Sequence, residues 1–321
     1  MSRLLHLGIA TLLALGLLPP AGYGAAYPDH TVKVIVPFPP GPTDTFARLY
    51  AQSLSDQLGQ SFVIENRTGA TGTIGAAIVA HSAPDGYTLL ATVDLPIVKA
   101  PNLLKLNYDP AKDLQPVAIV GEDSNILAAY PGAGIKTLTD LVAAAKAKPG
   151  RLYFASAGIG SPGHLCGEMI NLGAGIKLSH VPYRGAGPAL TAVLSGDAQL
   201  FCGPVLALLP NIKANKLVAL AVTGSKPLPQ LPGVKPLAGT WPGLVVTSWY
   251  GFLTPAGTPA AITDRLRQAL QKAYDDGAIR QRLDTAGIGP VWITGPAAED
   301  RIHADLAKWH GVVEKAGIKV E

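Results

Sequence analysis

Val32 to Arg48 reads VKVIVPFPPGPTDTFAR, and the order of those residues decides the fold. A β-branched apolar run reads as a strand, a proline and glycine loop follows, and Thr43 and Asp44 open a segment with helical apolar spacing at Phe46, Leu49 and Tyr50. Phe62 to Ala77 (FVIENRTGATGTIGAA) and Leu152 to Cys166 (LYFASAGIGSPGHLC) repeat the arrangement. In each, the first helical amides have no partner within their own helix and glycine lets another group approach the backbone. Such a loop is suited to receive an anion.

Outward from these stretches, strand-like Val32 to Phe38, Phe62 to Glu65 and Thr88 to Val93 alternate with helix-like Thr45 to Leu58 and Ile74 to Ser82, which predicts βαβ units on a parallel sheet. A second series begins near Asn125. Its strands are Ile126 to Tyr130, Leu152 to Ala155, Leu178 to Val181, Gln199 to Cys202 and Val218 to Val222, and its helices are Leu138 to Lys148, Gly163 to Leu172, Pro188 to Ser195 and Val205 to Ala214. Pro227 to Gly243 has no periodicity and reads as a surface loop, followed by an apolar run from Leu244 to Leu253. The amphipathic tail helices, Ala260 to Tyr274 and Ala297 to Ala316, need a sheet to cover. If they return to the first series, the molecule is an α/β protein of two lobes joined by two crossing strands. Lobe 1 is then 27–124 and 250–321, and lobe 2 is 125–249.

Arg3, the apolar stretch Leu4 to Leu18, Pro19, Pro20 and the small residues up to Ala26 have the anatomy of a cleaved secretory leader, residues 1–26. The apolar run is shorter than the ~20 residues a membrane span needs, so the expectation is an exported chain beginning at Tyr27. Charged residues make up 15% of the chain, and 26 Lys and Arg face 22 Asp and Glu without any basic run or aromatic interleaving. That disfavours nucleic acid as a partner.

Several chemistries fail on spacing. Gly158, Gly160 and Gly163 satisfy a dinucleotide fingerprint, but no acid occurs between Glu168 and Asp197 to hold a ribose. Ser161 lacks the glycine two residues before it that a nucleophile elbow requires, and no loop ends in the GK[ST] of a nucleotide P-loop. Ser161 followed by Pro162 fits a helix cap, His164 a cap or wall residue, and Asp44 a partner of the helix dipole. Thr43 can donate to a ligand, Arg184 could pair with a carboxylate or sit as a solvated rim charge, and Tyr183 offers an aromatic wall. Cys166 and Cys202 could be bonded or free, with two buried thiols the favoured reading. A zinc site of His164, Cys166, His180 and Cys202 lacks the usual paired spacing. No catalytic group, metal or cofactor is expected.

The ordered segments VPFPPGPTDTFAR, VIENRTGATGTIGAA, PDGYTLL, NYDPAKDLQPVAIV, FASAGIGSPGHL, VPYRGAGPAL and FLTPAGTP resemble the Bug family, the periplasmic solute receptors of tripartite tricarboxylate transporters. The resemblance covers essentially the whole chain beyond the leader. It implies a two-lobed type II periplasmic-binding-protein fold, with two sheets flanked by helices, that closes on a small organic carboxylate. It implies a monomer in the periplasm of a Gram-negative bacterium that hands its ligand to large and small integral membrane transporter subunits. A receptor signalling to a membrane sensor, or an exported α/β enzyme, is the alternative. By the same resemblance one end of the ligand meets Phe38, Gly41, Thr43 and Asp44 with Gly69, Ala70 and Thr71. The other end meets Ser156, Gly160, Ser161 and His164 with Tyr183 and Arg184. The family usually reads P-G-G-x-x-D, whereas Pro40 to Asp44 here is one residue shorter and lacks the second glycine.

Overall fold

The computed structural model describes residues 27–318, so the predicted leader lies outside the described residues. The first series is β1 (Val32–Val36), α1 (Pro42–Leu58), β2 (Phe62–Asn66), α2 (Thr73–Ala80) and β3 (Thr88–Val93). The long strand β4 (Leu114–Ala129) leads into α3 (Leu138–Ala147), β5 (Tyr153–Ser156), α4 (Pro162–Ala174), β6 (Ser179–Pro182), α5 (Ala186–Ser195), β7 (Leu200–Pro204), α6 (Val205–Lys213) and β8 (Val218–Val222). The tail holds β9 (Thr247–Pro255), α7 (Ala260–Asp275), α8 (Gly277–Thr285), β10 (Ile288–Ile293) and α9 (Pro296–Ala316).

β1 stops at Val36, short of the expected Phe38, because Pro37 has no N–H to give to a ladder. It pairs in parallel with β2 and β3, as expected. Beyond these units the sheet is mixed: β9 runs antiparallel to β3, and β4 antiparallel to β9 and β10. Val32, Val34 and Val36 bury one face against Phe46, Tyr50 and Leu54 of α1, while Ile35 and Leu90 bury the other with Ala76 and Val79. These alternating positions follow from the period-2 geometry of a strand.

β4 joins the lobes. Its residues 114–124 pair with β9, and residues 125–129 pair with β7 and β8 of a second sheet in which β5, β6 and β7 are parallel. The chain crosses back through 223–246. Buried Thr223 ties the two crossings: its Oγ1 accepts from the Asn125 N–H at 2.8 Å and donates to the Val246 carbonyl at 2.5 Å. Only the last four residues of β4, Ile126 to Ala129, are legible as strand, since Pro116, Gly121, Glu122 and Asp123 interrupt any apolar alternation. The expected surface loop at 227–243 also carries a short helical turn at Leu237–Gly239 that buries Leu237 completely.

A desolvated polar network sits at the crossing. Lys99, fully buried at the end of a turn of π-helix (Leu95–Lys99), pairs with Asp94 at 2.8 Å and donates to the Ser248 hydroxyl at 2.9 Å and the Thr247 carbonyl at 3.2 Å. Its ammonium lies 5.0 Å from the Trp309 ring of α9. Arg301, also on α9, bridges Glu122 of β4 at 2.7 Å and Asp305 at 2.8 Å, and Asp305 accepts from the Trp249 indole at 3.2 Å.

Cys166 of α4 and Cys202 of β7 form a disulfide with their Cα atoms 6.4 Å apart, against the reading that favoured free thiols. Residues 36 apart in sequence meet because α4 lies on β7, a proximity no spacing rule reveals. The bond also leaves no thiolate for the zinc set weighed above.

Lys99→Met strands a buried carboxylate and is expected to cost about 3–5 kcal/mol in urea unfolding, whereas Asp94→Leu with Lys99→Met removes both charges and costs markedly less. Replacing both cysteines by alanine is expected to lower the unfolding free energy by about 2–4 kcal/mol in the same assay.

Candidate functional site

Strand register places all the singled-out loops along two facing edges. Ser124 pairs with Thr247 and Val93 with Tyr250, so β3 and its parallel neighbours β1 and β2 end toward the crossing. Asn125 pairs with Pro204, so β7 and its parallel neighbours β5 and β6 end toward the crossing from the other side. The loops after β1, β2, β5 and β6 therefore open toward one cleft. The loop after β5 closes against the first lobe at one point, where Gly160 leaves no room for a Cβ beside Leu103.

In the first edge, Gly41 is the N-cap of α1, Pro42 occupies the first helical position, and no side chain caps the helix. The Thr43 and Asp44 amides have no hydrogen-bond partner among the described residues. The Asp44 carboxylate is occupied: Arg48 donates at 2.8 Å and 3.1 Å, and Asn66 Nδ2 at 2.8 Å. Burial opposes the charge, yet those bonds hold the carboxyl below its ordinary value. Asp44 thus fastens two loops together, and Asn66, which also donates to the Phe38 carbonyl at 2.9 Å, completes the tie. The Arg67 N–H donates to the Val36 carbonyl at 2.9 Å.

Gly69, Ala70, Thr71 and Gly72 all have positive φ, at 128°, 43°, 56° and 90°. That is an uncommon region for alanine and for β-branched threonine. Hydrogen bonds hold the turn: the Thr73 hydroxyl donates to the Ala70 carbonyl at 2.8 Å and the Gly72 N–H to the Gly69 carbonyl at 2.9 Å. Gly69, Ala70 and Thr71 are exposed, with the Ala70 and Thr71 amides unpartnered among the described residues. Gly72 lies under the Phe38 ring, where an added Cβ would come within 2.9 Å, and a Cβ added at Gly75 would come within 2.8 Å of Pro37 and the Arg67 carbonyl. Small residues at these two positions let the loops touch.

The second edge differs in character. Fully buried Ser156 ends β5, and its Oγ accepts from the Gly158 N–H at 3.1 Å and lies 2.6 Å from Nε2 of His180. The Gly160 N–H donates to Nδ1 of His164 at 3.0 Å, and Ser161 caps α4 by accepting from the His164 N–H at 3.3 Å. Ser156, Gly160, Ser161 and His164 therefore use these polar atoms within the loop. The Ala157 and Ile159 amides have no partner among the described residues, and Ile159 is exposed. Burial pushes the His164 imidazole down to about 4, so it is neutral at neutral pH.

From β6, Tyr183 is half-buried and its N–H donates to the Ser156 carbonyl at 2.9 Å. Arg184 is exposed and has no hydrogen bond or ion pair among the described residues. Gly185 caps α5 without a side chain, leaving the Ala186 and Gly187 amides without a partner among the described residues. Asn66 and Leu103 are not found from sequence, and His180 is named there only in the rejected zinc set. His180 is brought to the site by its register opposite Phe154, and Asn66 had one weak signal, a polar residue ending a strand just before a glycine loop. A groove of about 560 Å³ between Met169, Trp241 and Val312 lies at the opposite end of α4 from Ser161 and is lined by none of these residues.

The profile described as "Tripartite tricarboxylate transporter family receptor" matches residues 46–318. The protein BugT of Bordetella pertussis is 34% identical over 299 residues, covering 92% of each chain. Among solved structures, Rpa4515 of R. palustris with adipate is 31% identical with a TM-score of 0.78, covering 91% of this chain and 99% of that one. MatC of Rhodopseudomonas palustris with bound malate is 33% identical with a TM-score of 0.72, covering 89% of this chain and all of that one.

Gly75→Ala is expected to force the two first-lobe loops apart and to cost about 1–3 kcal/mol, a typical overpacking loss, in thermal or urea unfolding. Asn66→Ala leaves the Phe38 carbonyl and one Asp44 oxygen short of a donor and is expected to cost about 1–3 kcal/mol in the same measurement.

Proposed function

The chain belongs to the tripartite tricarboxylate transporter family of receptors, and from that membership we propose how it holds its ligand. It is a solute-binding receptor for a small organic carboxylate. The acid is clamped between the two facing edges, one end on the amides of Thr43, Asp44, Ala70 and Thr71 and the other on those of Ala157, Ile159, Ala186 and Gly187 with the guanidinium of Arg184. Phe38, Tyr183 and Ile159 wall the space between. One observation carries this reading: α1 and α5 point glycine-capped, side-chain-free N-termini at the same cleft, with the amides of Thr43, Asp44, Ala186 and Gly187 unpartnered among the described residues.

Charge-assisted hydrogen bonds contribute about 1.5–3 kcal/mol each, and a micromolar complex needs only about −8 kcal/mol net. A handful of amides suffices after ordering costs, with no catalytic group, metal or cofactor. Adipate and malate, held by two of the related proteins, make a dicarboxylate spanning both edges the favoured class. The lobes of this clamp are 27–124 with 250–321, and 125–249. They would close on the ligand and present it, as a periplasmic monomer exported by residues 1–26, to the large and small membrane subunits of a transporter.

Adipate or malate at a hundredfold excess over Kd is expected to stabilise the protein by about 2.7 kcal/mol, read as a rise in Tm. No shift with either acid, nor with a wider set of mono- and tricarboxylates, would count against the clamp. Gly41→Asp separates ligand binding from folding. Gly41 is extended, at φ 167° and ψ −159°, and an added Cβ would meet only the Pro39 carbonyl at 3.8 Å, an ordinary contact, so an aspartate fits and caps α1 itself. Stability should hold or rise by about 0.5–1 kcal/mol while calorimetry shows affinity falling roughly tenfold or more, because a fixed carboxylate takes the amides and repels the acid.

A further inference from the structure

His164 of α4 and His180 of β6 stack face to face, with ring centroids 3.9 Å apart and planes 14° from parallel, and Phe154 packs beside the pair, 4.9 Å from His180 and 6.4 Å from His164. Each imidazole holds a different part of the loop after β5. The Ser156 hydroxyl has three contacts: the Gly158 N–H at 3.1 Å, the Gly158 carbonyl at 3.0 Å and Nε2 of His180 at 2.6 Å. A hydroxyl has one proton and two lone pairs, so all three are satisfied only if it donates to the carbonyl and His180 donates to it from Nε2. His164 must be unprotonated at Nδ1 to accept from Gly160, which puts its proton on Nε2 as well. Both rings thus carry a proton on Nε2, and burial keeps them neutral at neutral pH, so the loop at 157–161 is shaped by two neutral imidazoles.

We propose that His164 and His180 are positioning residues of the ligand site, a stacked neutral pair that locks the 157–161 loop in its binding shape and releases it when protonated. This rests on the carboxylate-clamp reading above. A proton on Nδ1 of His164 would set donor against donor at Gly160, and two imidazolium rings 3.9 Å apart would repel. Few other charges face the pair. Glu168 of α4 lies 3.9 Å from Nε2 of His164, with its own carboxyl raised by burial. β5 contributes Phe154 and Ser156, and β7 the Cys202 half of the disulfide. Lys308 of α9 lines the groove at the other end of α4. Burial brings both imidazoles down to about 4 from an ordinary 6.5, with the neighbouring His164 adding to the shift of His180. A depressed histidine favours the locked state above pH 6.5, and that preference is lost as pH falls through 4.

Amide exchange at Gly160, followed by NMR in the ligand-free protein, tests the lock. In the wild type the Gly160 protection factor is expected to fall roughly tenfold or more as pH drops from 6.5 toward 4. His164→Leu, which removes the acceptor, should lose protection at every pH. His164→Asn, which offers an acceptor without a titrating group, should keep protection and lose its pH dependence. Protection that persists in His164→Leu, or falls with acid equally in His164→Asn, overturns the proposal. Calorimetry with adipate and malate then compares wild type with His164→Asn at each pH, a ratio in which the acid's own titration cancels. The wild type should weaken roughly tenfold relative to the variant at the acid end, and a constant ratio overturns the coupling to the ligand. If neither acid binds the wild type at neutral pH, the clamp reading fails for those acids while the exchange result still decides the lock.

Discussion

A buried ammonium group, that of Lys99, constrains more of this molecule than any other single feature. Removed from water, it is matched only where Asp94 follows β3, where Ser248 and Thr247 begin β9, and where the Trp309 ring of α9 lies beneath it. Those partners come from three separate parts of the chain. Misplacing any of them leaves an unpaired charge in an apolar interior, a cost of several kcal/mol. Glu122 and Arg301 bind the same region to β4, and Thr223 fastens the second crossing to the first. With the crossing set in this way, the ends of β1, β2 and β3 can face only the ends of β5, β6 and β7.

The facing edges are built unlike one another. On the first-lobe side, carboxylate and amide side chains hold the loops from behind through Asp44, Arg48 and Asn66, and the backbone amides in front are left unspent. On the second-lobe side, side chains fold back onto the loop and consume the amides of Gly158 and Gly160, leaving those of Ala157 and Ile159 in front. One edge offers a helix terminus with a strained turn, and the other a loop shaped by imidazoles, with Arg184 as an unpaired cation among the described residues.

Much of this architecture could be read from residue order. Thr88–Val93 and Val218–Val222 are strands over the residues their β-branched runs indicate, and the stretches with glycine loops do open helices. What could not be read has a common physical origin, which is dependence on register and long-range contact. β4 hides everything before Ile126 because Pro116, Gly121, Glu122 and Asp123 break the alternation, the last of these where the strand changes sheets. α8 and β10 were missed because Gly277 to Ile293 mixes charge, glycine and short apolar runs without a sustained period. Asp44 was attractive as a ligand residue and proved to be tied to Arg48 and Asn66. His180 and Cys202 gain their meaning only from the elements packed against them. Family resemblance names the loops expected to meet a ligand, but not which of their atoms are already in use.

The apolar cluster beneath the sheets runs without interruption from Ile35 and Leu90 in the first lobe through Trp249 and Trp309 to Leu165, Leu200 and Phe154 in the second. A pair of lobes sharing that much dry interior is two bodies in outline and one in thermodynamics. Neither can melt without stripping the other of its cover, so a fault in the far lobe is felt at the near edge of the cleft as lost cooperativity. The closure proposed above would in that sense be a small excursion of a single folding unit, with its amplitude limited by how far a continuous core can shear before it opens to water.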